Sequence, residues 1–162
     1  MSLHLFLEPL EDEMEDKFDL LQRVMNTIGK GIVFVDADNK LVFFNPAAGE
    51  LLNVKSEERV GTSVFLCHPK AMEQKVEQRI EQFRKDPQLR TKGRIINYQG
   101  RYLLETFYSV ADQQGKYLGV AGVFEDAEEK VSLLKQLGKF EEPPLFGVGE
   151  GKPRSPISNI VQ

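Results

Sequence analysis

The chain has 162 residues, 21 of them basic and 25 acidic, for a formal net charge of −4 at pH 7. With 41% hydrophobic and 28% charged residues it has the composition of one globular domain plus extensions, and its acidity excludes a general attraction to nucleic acid or anionic lipid. The single cysteine excludes an intramolecular disulfide. No run of about 18 apolar residues marks a membrane helix. The first ten residues lack the basic start and small-residue cleavage site of a signal peptide, so a cytoplasmic chain in a reducing compartment is expected.

Past an acidic stretch at Glu11–Asp16, the apolar residues Phe18, Leu21, Met25 and Ile28 fall at helical spacing, and Gly29 and Gly31 end that helix. Ile32–Val35 and Leu41–Phe44 flank a turn at Asp36–Asn39 and read as a hairpin. Asn45-Pro46 predicts a helix start, because Asn accepts from the free N–H groups of the first turn and Pro loses no hydrogen bond there. A short helix through Ala48, Leu51 and Leu52 follows, then a turn closed near Gly61. His68-Pro69 repeats the cap-then-proline pattern before a longer helix carrying Met72, Val76, Ile80 and Phe83, ended by Asp86-Pro87. The last third predicts three strands, Arg90–Tyr98, Arg101–Val110 and Tyr117–Glu125. In the third, Gly119 and Ala121 share a face that something approaches closely. A helix from Asp126 through Val131, Leu134 and Leu137 ends at Gly138. The remainder, rich in Pro and Gly, reads as a linker or tail. There is no internal repeat.

Catalytic signatures are missing. The sequence holds no Gly-rich phosphate loop, no HExxH and no Cys/His cluster at metal spacing, so no catalytic residue and no enzyme activity are expected. Three features stand as candidate binding residues. His68 carries an imidazole beside a helix start, where it either ligates a metal or simply hydrogen-bonds locally. Cys67 is either a reactive thiol or a small buried hydrophobe. Met72, Val76, Ile80 and Phe83 either line a cofactor pocket or are plain core.

Taken in order, Gly31–Asp36, Phe44-Asn-Pro-Ala-Ala48, Glu58-Arg-Val-Gly61 and Gly115-Lys-Tyr-Leu-Gly119 resemble the PAS domain family over roughly residues 20 to 126. The resemblance implies an α+β PAS fold: a five-stranded antiparallel sheet with helices on one face and flanking N- and C-terminal helices. It implies a ligand pocket between the sheet and the long helix, and a homodimer formed through the flanking helices. The expected organisation is 1–19 as an N-terminal extension and start of the flanking helix, 20–126 as the sensor, 127–139 as a C-terminal signalling helix, and 140–162 as a Pro/Gly-rich linker or tail.

Leu66-Cys-His-Pro-Lys70 is similar to PAS variants joined to hemerythrin-like domains and to the PAS sensor of haem-containing, carbon-monoxide-responsive transcription regulators. That narrower resemblance implies haem as the cofactor and His68 as the iron ligand. Cys67, Met72, Val76 and Ile80 would lie around it. The segment Asp86–Asn97, where those regulators draw an opposing ligand, contains neither Cys nor Met. The functional expectation is a sensor that binds a small ligand or cofactor and relays its state to an effector, with transcription regulation as the implied context. The alternative is a ligand-free protein-interaction and dimerisation domain, its core filled by some of the 11 Phe residues.

Overall fold

The computed structural model describes the backbone of residues 4–147 and the side chains of residues 13–147. The chain opens with one continuous helix, α1 (His4–Thr27), so the boundary placed after residue 19 falls inside it. Strands β1 (Gly31–Asp36) and β2 (Leu41–Phe44) form the expected hairpin. Its turn is held by Asp36, whose Oδ1 accepts from the amides of Asp38 and Lys40, both at 2.9 Å. Helix α2 (Pro46–Leu52) follows at once. Short 3-10 turns at Ser56–Glu58, Val64–Cys67 and Lys70–Met72 lead into α3 (Glu73–Lys85). Strands β3 (Arg94–Tyr98), β4 (Arg101–Ala111) and β5 (Tyr117–Asp126) then build most of the sheet, and α4 (Glu128–Gln136) leaves it.

With a short sixth strand, β6 (Leu145–Phe146), the strands lie in the order β2-β1-β5-β4-β3-β6. Registry puts Val33, Val35, Val120, Phe124, Phe107, Leu103 and Ile96 on one face, and period-two alternation makes that face apolar. It packs with Ala48 and Leu51 of α2, with Val64 and Phe65, and with Ile80 of α3 into one core. Leu103 and Ala48 are fully buried at its centre. Gly119 is a point of close approach, as its neighbourhood in sequence suggests. A Cβ there would meet the Val35 carbonyl at 2.1 Å and the Phe34 ring at 2.7 Å, so what approaches is β1 itself.

Four expectations need correction. The sheet has six strands and is mixed, because β6 (Leu145–Phe146) adds parallel to β3. The stretch 140–162 is therefore not all linker: its first part returns to the sheet edge, and residues 148–162 lie outside the described residues. Strand β3 begins at Arg94 rather than Arg90. Upstream of it the chain still bonds β4 through Thr91 and Leu89, and only Arg90 makes a bridge, to Tyr108. Finally, His68-Pro69 does not cap the long helix. His68 closes the preceding 3-10 turn, and a further turn intervenes before α3.

Candidate functional site

Asn45 is the most tightly held polar side chain of the domain. It is fully buried between α1, β1 and α2. Its Oδ1 accepts from the amides of Ile32 at 2.8 Å and Ala48 at 2.9 Å. Its Nδ2 donates to the carbonyls of Met25 and Lys30, both at 2.9 Å. An Asn side chain offers two donors and two acceptor positions, and here all four are used. One amide thus caps the start of α2 and takes up a carbonyl left over at the end of α1. The sequence shows the first role through Asn-Pro; the second depends on a contact across 20 positions that no local pattern reveals.

The interior between sheet and helices is occupied by the protein's own side chains. Phe44, Leu51, Ile96, Leu103 and Phe124 are buried there, with Leu52, Phe65, Cys67, Ile80, Tyr98, Phe107 and Phe146 packed against them. Phe107 and Phe124 meet edge to face, their centroids 6.0 Å apart. Of the expected pocket residues, Ile80 joins this core, while Val76 and Met72 stay half-exposed. Phe83, the fourth member of that stripe, is the residue α3 buries most completely, at 3% exposure.

His68 and Cys67 are both half-buried. The His68 imidazole Nδ1 lies 3.2 Å from the carbonyl of Val64, in its own turn. Burial pushes the Cys67 thiol up from its ordinary value, and nearby Arg59 only partly offsets this. The thiol is thus held neutral rather than activated. Arg59 is itself buried, its guanidinium 3.5 Å from the Leu66 carbonyl. Tyr98 feels both Arg59 and Cys67, and burial raises its phenol above the usual range. Together with Cys67, the side chains of Phe65, Ile80 and Phe107 pack against the buried core that holds Phe124. Among the described residues no cluster of three or more His, Cys, Asp or Glu is placed to hold a metal ion. One surface depression, of about 460 Å³, is lined by Pro87, Gln88, Ser109 and the β4–β5 turn, away from His68.

The flanking helices contrast with this interior. Along α1, Met14, Phe18 and Leu21 are exposed at 69%, 68% and 61%, and Ile28 just past its end at 40%. On α4, Val131 is buried while Leu133, and Leu137 at the cap, are exposed. Among the described residues no helix is long and apolar enough to cross a membrane.

Comparison with known proteins follows the same outline. A family model described as PAS domain matches residues 21–128. In fold the chain is similar to the C-terminal domain of a Streptococcus mutans protein, at 24% identity and a TM-score of 0.60, over 72% of this chain and 89% of that one. It is similar to the PAS domain of Bordetella pertussis BvgS, at 16% identity and a TM-score of 0.58, over 76% and 95%. It is also similar to the Vibrio cholerae VqmA dimer, at 21% identity and a TM-score of 0.54, covering 67% of this chain and 51% of that one. At such identities the likeness is one of fold, and activity does not transfer with it. No curated protein matches the chain.

Proposed function

The chain belongs to the PAS domain family, and from that premise we propose that it is a homodimeric signalling module whose output runs through its flanking helices. One observation carries the reading. Met14, Phe18, Leu21 and Met25 of α1, with Ile28 just past its end, alternate at spacings of four and three, and all but Met25 are exposed in the single copy. That is the 3.5-residue period of a two-stranded coiled-coil seam. The ion pair Arg23–Asp19, at 2.6 Å, lies on the opposite side of the helix, where a coil would leave it in water. An apolar seam of this length in water is costly, and a second copy of α1 covers it in kind. VqmA, similar in fold, is described as a dimer.

Light scattering tests this. The wild type is expected to be dimeric at tens of micromolar, and Phe18→Glu with Leu21→Glu to be monomeric and still folded. A monomeric wild type would overturn the reading.

The filled interior favours a second reading on the input side: the domain signals by protein contact, with no resident cofactor. Phe44, Phe107 and Phe124, together with Leu51 and Leu103, leave the centre of the domain closed by its own side chains. A ligand entering there would have to displace them, at the cost of their packing.

A further inference from the structure

We propose that residues 139–147 form a strap that closes the interior at the β3 edge and opens without unfolding the sheet. The strap runs from the end of α4 to β6. It is anchored at two points of different character. The first is polar. Glu142 accepts from the Tyr102 hydroxyl through both carboxylate oxygens at 2.7 Å, and from Asn97 Nδ2 at 3.0 Å. Tyr102 also receives the Phe140 ring edge-on at 5.4 Å and a hydrogen bond from Lys135 of α4 at 3.2 Å. This anchor therefore joins β3, β4 and α4, and all of its hydrogen bonds are exposed to water.

The second anchor is apolar. β6 pairs with β3 over two residues only, Leu145 with Asn97 and Phe146 with Tyr98, and the Gln99 amide donates to the Phe146 carbonyl at 2.8 Å. In a parallel pair, directly opposed residues point to one face. Phe146 therefore shares the inner face with Tyr98 and packs against the core, whereas Leu145 turns outward at 52% exposure. Next along the chain, Gly147 takes φ +77°, and a Cβ on it would lie 2.8 Å from both the Tyr98 ring and Gln99. The strap is seated against Tyr98 closely enough to require glycine there. Tyr98, Cys67 and Phe146 all pack against the same core.

The strap holds by one ring in the core, a second on the exposed Tyr102, two paired residues and a water-exposed polar anchor, while β3 itself pairs with β4 along its whole length. Local opening of such a segment costs far less than global unfolding. When it opens, the Phe146 site empties and the Tyr98–Cys67 side of the interior meets solvent. Because the strap continues from α4, opening also releases the end of that helix. This proposal is independent of the dimer: it concerns one copy, and either idea can fail alone.

Cys67 is the sole cysteine of the chain and so a unique reporter. Its rate of modification by a thiol reagent is measured in the full chain under native conditions, with increasing low urea. Phe146→Ala is expected to raise the rate about tenfold. Glu142→Ala leaves the ring in place but cuts the polar anchor, and should raise the rate about threefold. Leu145→Ala, on the outward side, should leave it within about twofold of wild type. The excess rate should be nearly independent of urea. An unchanged rate in Phe146→Ala would overturn the proposal. So would an effect of Phe146→Ala without any effect of Glu142→Ala, which would mark a packing defect and no opening. An excess with the urea dependence of global unfolding, or an equal rise in Leu145→Ala, would overturn it as well.

Discussion

The two helices that cover the inner face of the sheet are seated very differently. α2 is pinned at its first turn by Asn45 and buries Ala48 and Leu51 almost completely. Against it, a Cβ on Gly31 would fall 2.9 Å from the Ala48 Cα, so β1 and α2 touch backbone to backbone. α3 is longer, yet it buries only Phe83 among its own residues. Beyond the half-buried Ile80 it rests on its rim: Arg84 donates to the Ala37 carbonyl at 3.0 Å and lies 4.8 Å over the Tyr117 ring, and Arg79 lies 5.9 Å from the Phe107 ring. One side of the cover is a fixed joint, and the other is a plate held by a single buried ring and a polar border. Conformational change is drawn from the less tightly held parts of a fold, so the α3 side is where the interior can give.

Substitutions can break that contrast. Asn45→Ala should show the largest effect, about 4 kcal/mol in a urea titration, because it strands four backbone groups at a buried site. Asn45→Asp keeps the acceptor pair but turns a carboxylate oxygen toward the Met25 and Lys30 carbonyls, and should also be strongly destabilising. A loss near 1 kcal/mol for Asn45→Ala, no more than an ordinary cap, would show that the joint is not fixed.

The second comparison lies within α3. Phe83→Ala is expected to cost about 3 kcal/mol and Ile80→Ala about 1–2 kcal/mol, since Ile80 is only half-buried. Equal losses at the two positions would mean that α3 is seated as deeply as α2. The smallest effect is expected at His68. His68→Ala removes the local hydrogen bond to Val64, among the contacts of this half-buried ring, and should cost about 1 kcal/mol. Hemin added to the wild type should give no saturable Soret band that depends on this residue. A band that appears with the wild type and vanishes with His68→Ala would restore the haem reading and show the α3 side to be far more open than its packing implies.

Much of this was legible in the sequence, and what was not has physical causes. Alternating and helical periodicities placed the strands and helices, because those patterns are local. Asn45-Pro46 marked α2 because a cap acts within three residues. The same logic misled at His68-Pro69, where the dipeptide closes one turn before another begins and the long helix starts at Glu73. Pro and Gly around residues 143–151 suggested a free tail. Yet Gly147 is glycine because it meets a tyrosine ring, and a two-residue strand has no periodicity to detect. The stripe Met72, Val76, Ile80, Phe83 was visible, but not which member goes deepest, since that depends on how α3 tilts over the sheet. Glu142 and Tyr102 meet across 40 positions, beyond the reach of any spacing rule.

The four-way engagement of Asn45 has a mechanical consequence. An amide bonded on every side cannot turn without losing all its partners, so α1 meets β1 and α2 at a stiff hub with no hinge of its own. With 24 residues, α1 is a lever about 36 Å long. A tilt of about 5° at the hub then swings its far end by about 3 Å. The gearing works in reverse as well: whatever grips the far end of α1 loads the hub, and through it the first turn of α2 and the strand beside it.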